Sequence, residues 1–208
     1  MPNDLAVHVV DDDAAIRDSL RWLMESVGLR VHTYDSAQGF LTKSHEVTAG
    51  CLLLDMRLRD MSGLELQRKL RESGFRPPII FMTGYGDITM AVQAMKDGAI
   101  DFLTKPFDDQ KLLDTVQQAL SQAQITYEKH AQSDLMASRL ALLSPREQQV
   151  LDKVLDGKLN KVIADELNIS MKTVETHRAR IMEKMQARNL AELVRQIALA
   201  GADTQGKP

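Results

Sequence analysis

The chain has 208 residues, of which 44% are hydrophobic, 26% charged and only 4% aromatic, a length that suits two domains and a composition that excludes extensive disorder while requiring aliphatic cores. No segment offers the about 18 consecutive apolar residues of a membrane span, and the first residues lack a basic region followed by an apolar run, so a soluble, cytoplasmic protein without membrane attachment is expected. The net charge of -3 is uneven: residues 1–125 carry 13 Lys+Arg against 18 Asp+Glu, residues 126–208 carry 13 against 11, and the two halves therefore favour different partners.

Residues 1–125 alternate short apolar runs with helical patterns, as βα units building a parallel sheet do. Strands are expected over residues 5–10, 30–33, 51–54, 78–82 and 101–103, the third and fourth apolar throughout, as strands buried on both faces are. The single cysteine, Cys51, opens the third strand and reads as a buried structural thiol with no disulfide partner in the chain. Helices fill the intervals. The most amphipathic begin near Ala14, Gly63, Asp87 and Asp109, and Gly28, Gly74 and Gly98 fall where helix C-caps belong.

Residues 125–139 are polar, helix-compatible and free of glycine and proline, which places the domain boundary there. The expected division is a first domain over 1–125, a helical linker over 126–138 and a second domain over 139–208. In the second domain β-branched runs stop and short helical segments follow one another. Ser144-Pro145-Arg146-Glu147 offers a capping box with proline at the first helical position, Gly157 ends that helix and Asn160 begins the next. After a turn at 168–170, Ser170 caps a longer helix to about Met185, and Asn189 caps a last one with Leu190, Leu193, Val194 and Ile197 along one face. The fold class is thus an α/β doubly wound, five-stranded parallel sheet followed by an all-α domain.

The chemistry-bearing residues gather at strand ends. Asp11, Asp12 and Asp13 follow the first strand at its C-terminal edge, where open parallel sheets bind ligands. Asp13 suits an N-cap for the next helix, whereas Asp11 and Asp12 suit Mg2+ ligation. Asp55 ends the third strand, Thr83 the fourth, and Lys105 the fifth, just before Pro106. An aspartate beside a divalent cation can attack phosphorus in line and carry an acyl phosphate, while Lys105 neutralises phosphate oxygens and the Thr83 hydroxyl donates to one. A lone strand-end Asp or Lys is usually solvated structure; an ordered set at four successive strand ends is not explained that way.

In the second domain the spacing of helices 160–167 and 171–185 around the turn suits a helix-turn-helix, although a plain helical bundle has the same punctuation. On the second of these helices Val174, Ile181 and Met185 mark a buried stripe, leaving Lys172, Thr173, Glu175, Thr176, Ala179 and Arg180 outward, with His177 and Arg178 at the borders. Cations beside short hydrogen-bonding side chains suit a major groove; a solvated face with the same charges is the alternative.

Over these residues the first half resembles the receiver domain of response regulators, a flavodoxin-like fold. The resemblance implies that Asp55 is the phosphoacceptor, that Asp11 and Asp12 bind Mg2+ together with Asp55 and the backbone carbonyl of Arg57, and that Lys105 and Thr83 assist the chemistry. It also implies that Thr83 and Phe102 form the switch pair and that Lys105-Pro106 is a cis bond. The chain departs from the pattern twice. Arg59 stands where many relatives carry proline, and Tyr85 where histidine is frequent. The block from Leu143-Ser144-Pro145-Arg146-Glu147 through Asn160-Lys161-Val162-Ile163-Ala164 to Thr173-Val174-Glu175-Thr176-His177 resembles the LuxR/NarL-type DNA-binding domain, and the two together, with Thr83-Gly84-Tyr85-Gly86-Asp87, resemble the FixJ family. By position, Glu175, Thr176 and Ala179 match base-facing residues, and Lys161, Lys172, Thr173, His177 and Arg180 are phosphate candidates.

The reading that follows is a two-component response regulator: phosphorylated on Asp55 by a sensor histidine kinase, homodimeric when phosphorylated, and binding promoter DNA to activate transcription, with RNA polymerase as a further partner. It is not an enzyme beyond its own phosphoryl transfer and autodephosphorylation. Two rivals remain. A phosphohydrolase with an aspartyl nucleophile usually carries a second acid two residues on, where Arg57 stands here. A phosphorelay module whose helical half binds protein would lack sequence-specific DNA retention.

Overall fold

The computed structural model describes the chain over residues 5–47, 49–84 and 88–201. Tyr85 and the helix start expected near Asp87 lie outside the described residues. The chain divides into two compact units, Met1–Tyr127 and Glu128–Pro208.

In the first unit, strands β1 (Ala6–Val10), β2 (Arg30–Tyr34), β3 (Gly50–Asp55), β4 (Ile79–Thr83) and β5 (Asp101–Thr104) pair in parallel in the order β2-β1-β3-β4-β5. Each lies within one or two residues of its expected span. The helices are α1 (Ala14–Ser26), α2 (Ala37–Lys43), α3 (Gly63–Glu72), α4 (Ile88–Lys96) and α5 (Asp109–Ala141), with a 3-10 turn at Ser44–Glu46. Side chains alternate across the sheet with period two. Val7, Val9, Cys51, Leu53, Ile80, Met82 and Leu103 pack with Leu20 and Met24 of α1 and Leu112 and Val116 of α5. Val10, Leu52, Leu54 and Phe81 pack on the other face with Phe40 of α2, Leu66 and Leu70 of α3, and Ala94 of α4. Covering both faces is what permits the unbroken apolar run Cys51-Leu52-Leu53-Leu54, wholly buried, each side chain worth roughly 1.5–3 kcal/mol in Leu-sized cases. Burial pushes the Cys51 thiol up to about 12, so it is a packing group and not a nucleophile.

Local signals set the element ends. Asp13 caps α1 by accepting from the Ala15 amide, and Ser62 caps α3 by accepting from the Glu65 amide. Gly28, Gly74 and Gly98 take positive φ of 80°, 80° and 85° just past their helices, as expected of C-caps. Gly63 is required by contact and not by φ: a Cβ there would stand 2.5 Å from the Asp55 carbonyl oxygen and 2.9 Å from Phe81 Cε1.

The second unit contains the end of α5 followed by α6 (Pro145–Leu155), α7 (Asn160–Leu167), α8 (Met171–Met185) and α9 (Leu190–Gly201). Both reciprocal bonds of the Ser144/Glu147 capping box are present. Asn168 ends α7 in the left-handed conformation, φ 51°, and Ser170 caps α8 through the Thr173 amide, which together make the tight turn between the two helices. Val150, Leu151, Ile163, Val174, Ile181, Met185 and Leu193 form the core, joined by Met136 from α5.

Candidate functional site

The strand order reverses between β1 and β3, and the crevice outside their C-terminal ends is where an open parallel sheet offers a site. β1 and β3 run in register from Ala6↔Gly50 to Val10↔Leu54, so Asp11 follows directly beside Asp55. β4 pairs β3 through Asp55↔Met82 and β5 through Thr83↔Thr104, which sets Thr83 and Lys105 at the same edge. There Lys105 Nζ bridges Asp11 Oδ2 and Asp55 Oδ2, at 2.7 Å from each. The Lys105-Pro106 bond is cis, and the Lys105 amide donates to the Thr83 carbonyl at 2.7 Å.

Each carboxylate has a distinct environment. Asp11 is fully buried; its Oδ1 accepts from the Asp13 amide at 2.8 Å, and Arg17 Nη1 donates to its backbone carbonyl at 2.7 Å. Burial raises the Asp11 pKa above the ordinary carboxylate range in spite of the Lys105 and Asp13 contacts. Burial also opposes the Lys105 ammonium, but its two carboxylate partners outweigh that and raise its pKa. Asp55 is half-buried and its Oδ1 accepts from the Arg57 amide at 3.1 Å. Asp12, 22% exposed, pairs with Arg59 Nε at 2.7 Å.

One oxygen each from Asp11, Asp12 and Asp55 lies within 4.8 Å of the others. Hard carboxylate oxygens are the donors a magnesium-sized cation takes, and octahedral ligands at about 2.1 Å from such an ion stand up to about 4.2 Å apart, so this donor set fits after a small closure. The burial of Asp11 supports the same fit, because a cation would offset the desolvation of its carboxylate. Arg57 is exposed on the loop after Asp55, where an antiparallel bridge Arg57↔Ser62 and a Gly63 N–H to Met56 carbonyl bond of 2.9 Å fold the segment back on itself. Thr83 is buried, its hydroxyl donating to the Gly84 carbonyl at 3.3 Å. Phe102 is half-buried against the cluster holding Phe81 and Ala94.

On α8 the expected stripe is buried: Val174, Ile181 and Met185. Lys172, Glu175, Thr176, Ala179 and Arg180 are exposed, and Thr173, His177 and Arg178 are half-buried. Lys161 is exposed in the first turn of α7. Some of these side chains already have local partners. Lys172 pairs with Glu175 at 3.7 Å, the Thr176 hydroxyl donates to the Lys172 carbonyl at 2.9 Å, and the Thr173 hydroxyl meets Ser170 Oγ at 2.8 Å.

Four residues at the strand-end site escape a sequence reading. Arg17 and Arg59 reach Asp11 and Asp12, Gly63 leaves room beneath Asp55, and Asp60 caps α2 by accepting from the Ala37 and Gln38 amides at 3.2 and 2.8 Å. Backbone N–H donors hold the Asp60 carboxyl below its ordinary range against the effect of burial. Two of them left a signal: Arg59 as a departure from the receiver pattern, and Gly63 as a glycine opening a helix where a better helix former would be expected.

Residues 7–117 match the family described as response regulator receiver domain, and residues 141–197 match the bacterial regulatory proteins of the luxR family. The chain is 44% identical to the transcriptional regulatory protein FixJ of Bradyrhizobium diazoefficiens, over 94% of this chain and 95% of that protein. It is 46% identical to the transcriptional regulatory protein TdiR of Thauera aromatica, over 92% of this chain and 85% of that one. Among solved structures, the response regulator StyR superposes with a TM-score of 0.86 at 44% identity, covering 93% of this chain and 98% of that chain. No helix among the described residues is long and apolar enough to cross a membrane. With strand-end carboxylates in a receiver fold followed by a luxR-family helical unit, in the order and over the length of its FixJ relatives, the chain belongs to the FixJ-type response regulators of two-component systems.

Proposed function

We propose that Asp55 accepts a phosphoryl group from a sensor histidine kinase and that the phosphorylated protein dimerises and binds promoter DNA to activate transcription in the cytoplasm. The observation that carries the first half is the Lys105 bridge between Asp11 and Asp55 at the sheet's switch point. The Lys105 and Arg57 contacts orient the Asp55 carboxylate, leaving it to attack phosphorus in line while the bond to the kinase imidazole breaks. Asp11, Asp12, Asp55 and the Arg57 carbonyl would hold Mg2+, which supplies charge neutralisation on the transferring phosphoryl oxygens. Lys105 then shares that negative charge, and the Thr83 hydroxyl turns from the Gly84 carbonyl to a phosphoryl oxygen. Phe102 follows into the space this movement opens. The site also returns the phosphoryl group to water, which limits the signal's lifetime.

We assign residues 1–125 to this switch, 126–138 to a helical linker and 139–208 to DNA binding. The polar face of α8, with Lys161 of α7, supports the last assignment: Glu175, Thr176 and Ala179 face bases, and Lys161, Lys172, Thr173, His177 and Arg180 face phosphates. A dimer presents two such helices to paired half-sites. Activation through RNA polymerase is assigned by analogy of domain order. The test is incorporation of label from a radioactive small phosphodonor, followed by gel shift on genomic fragments with random competitor. Wild type is expected to gain base-labile phosphate and tighter DNA retention; Asp55→Asn is expected to gain neither. Undiminished labelling of Asp55→Asn moves the acceptor elsewhere, and retention no better than on random DNA favours a protein-binding helical unit.

A further inference from the structure

Asp11, Asp12 and Asp55 are each paired with a cation of the chain itself. Lys105 takes Asp11 and Asp55, and Arg59 takes Asp12, its Nε 2.7 Å from Oδ2. The two pairings differ in kind. The Lys105 side chain is 20% exposed and bridges two strand ends, whereas the Arg59 side chain is 85% exposed and reaches in from the loop after β3. Arg59 is therefore not a fixed part of the site. It is a solvated cation on a short tether, four residues from Asp55. A guanidinium and a divalent cation cannot both use Asp12 fully, because they repel each other across a shared carboxylate and each draws on the same lone pairs.

We propose that Arg59 is a tethered competitor for the divalent cation at Asp12, a positioning residue that weakens Mg2+ binding and makes it depend on ionic strength. The proposal rests on reading Asp11, Asp12 and Asp55 as the cation site. Three consequences follow from the geometry. An exposed ion pair is worth little, so Arg59 shifts the affinity by about two- to fivefold and does not abolish it. Salt screens it, and near 1 M ionic strength, where the Debye length is about 3 Å, the effect fades. It acts through Asp12, so it disappears when Asp12 cannot carry charge.

Titration of the full chain with Mg2+ by calorimetry, and with Mn2+ by the paramagnetic signal of the free ion, tests this directly. Arg59→Ala is expected to bind both ions about two- to fivefold more tightly than wild type at about 0.05 M salt and nearly equally at about 1 M. Arg59→Lys, which keeps the charge, should restore most of the weaker binding. In an Asp12→Asn background Arg59→Ala should change nothing, which separates competition at that carboxylate from a general field effect. Unchanged or weaker binding by Arg59→Ala overturns the proposal, as does a full gain in the Asp12→Asn background. If Asp11→Asn leaves Mn2+ affinity at the wild-type level, the cation site itself has been misplaced and both readings fall together.

Discussion

Lys184 Nζ lies 2.7 Å from Glu147 Oε2 and 3.0 Å from the Leu142 carbonyl oxygen, so one ammonium near the end of α8 closes over the start of α6. Glu147 is buried and serves the capping box at the same time. The Lys184 contact, with the Ser144 amide second, lowers its pKa from the usual carboxylate value to about 2. A depressed folded-state value means that the stabilisation is present above the unfolded pKa near 4.5 and is lost as pH falls from there toward 2. Glu147→Gln should cost the second unit about 1.5–3 kcal/mol at pH 7 and flatten its acid dependence in that window, read by hydrogen exchange of the 144–155 peptide. An unchanged slope between pH 5 and 2 would remove this pair from the acid response.

His8 titrates in a different window. It is buried in the first unit, its Nδ1 3.2 Å from the Tyr34 hydroxyl and its ring stacked 5.3 Å from His32. Burial first, and the neighbouring His32 second, lower its pKa to about 4. Stability from keeping His8 neutral is complete above its unfolded value of 6.5 and declines as pH drops toward 4. The melting temperature of the receiver should therefore fall between pH 7.5 and 5, and His8→Phe should reduce that fall. A variant that melts with the wild-type pH slope would place the sensitivity elsewhere.

Gly63→Ala puts a methyl 2.5 Å from the Asp55 carbonyl oxygen, a backbone atom that cannot move without shifting the Asp55 carboxylate. The expected cost is about 1–3 kcal/mol in urea unfolding of the receiver, with slower labelling from a small phosphodonor. Gly74→Ala, with open space around its Cβ but φ of 80°, should lose stability without losing labelling rate. Equal labelling by both variants would show that Asp55 does not depend on this close approach.

Lys105→Ala removes both 2.7 Å contacts and is expected to separate chemistry from output. Labelling of Asp55 should fall less than phosphate-driven dimerisation, which should weaken about tenfold or more as the charge-assisted contact to the phosphoryl group is lost. Sedimentation with and without phosphodonor measures it. Normal dimerisation at full labelling would take Lys105 out of the switch.

The exposed residues of α8 should divide by kind. Neutralising Lys172 or Arg180 should weaken binding to all sequences and lower the salt slope by about one per phosphate contact. Replacing Glu175 or Thr176 should alter preference at one or two operator positions by roughly 1–3 kcal/mol and leave the slope nearly unchanged. Because Lys172 and Glu175 pair at 3.7 Å, Glu175→Ala also frees Lys172 and should slightly raise affinity for random DNA. Recovery of the parent motif by Glu175 and Thr176 variants in selection from randomised DNA would end the assignment of this helix to base reading.

What the sequence determined by itself was the set of elements and the residues at their ends. The Ser144/Glu147 capping box, the helix-ending glycines at 28, 74 and 98, and the stripe of Val174, Ile181 and Met185 depend on neighbours within a turn or two, and each is present in the structure. The helical stretch expected over 126–138 lies within α5, which runs over Asp109–Ala141 with no glycine or proline inside it. Tertiary structure decided which side chains meet. Strand order and register bring Lys105 to Asp11 and Asp55 across 94 and 50 residues, bury Asp11 while leaving Asp12 within reach of Arg59, and lay Asp60 on the first amides of α2. Such pairings have no periodic signature, since a long flexible side chain can satisfy its charge in many directions until the packed sheet leaves it one.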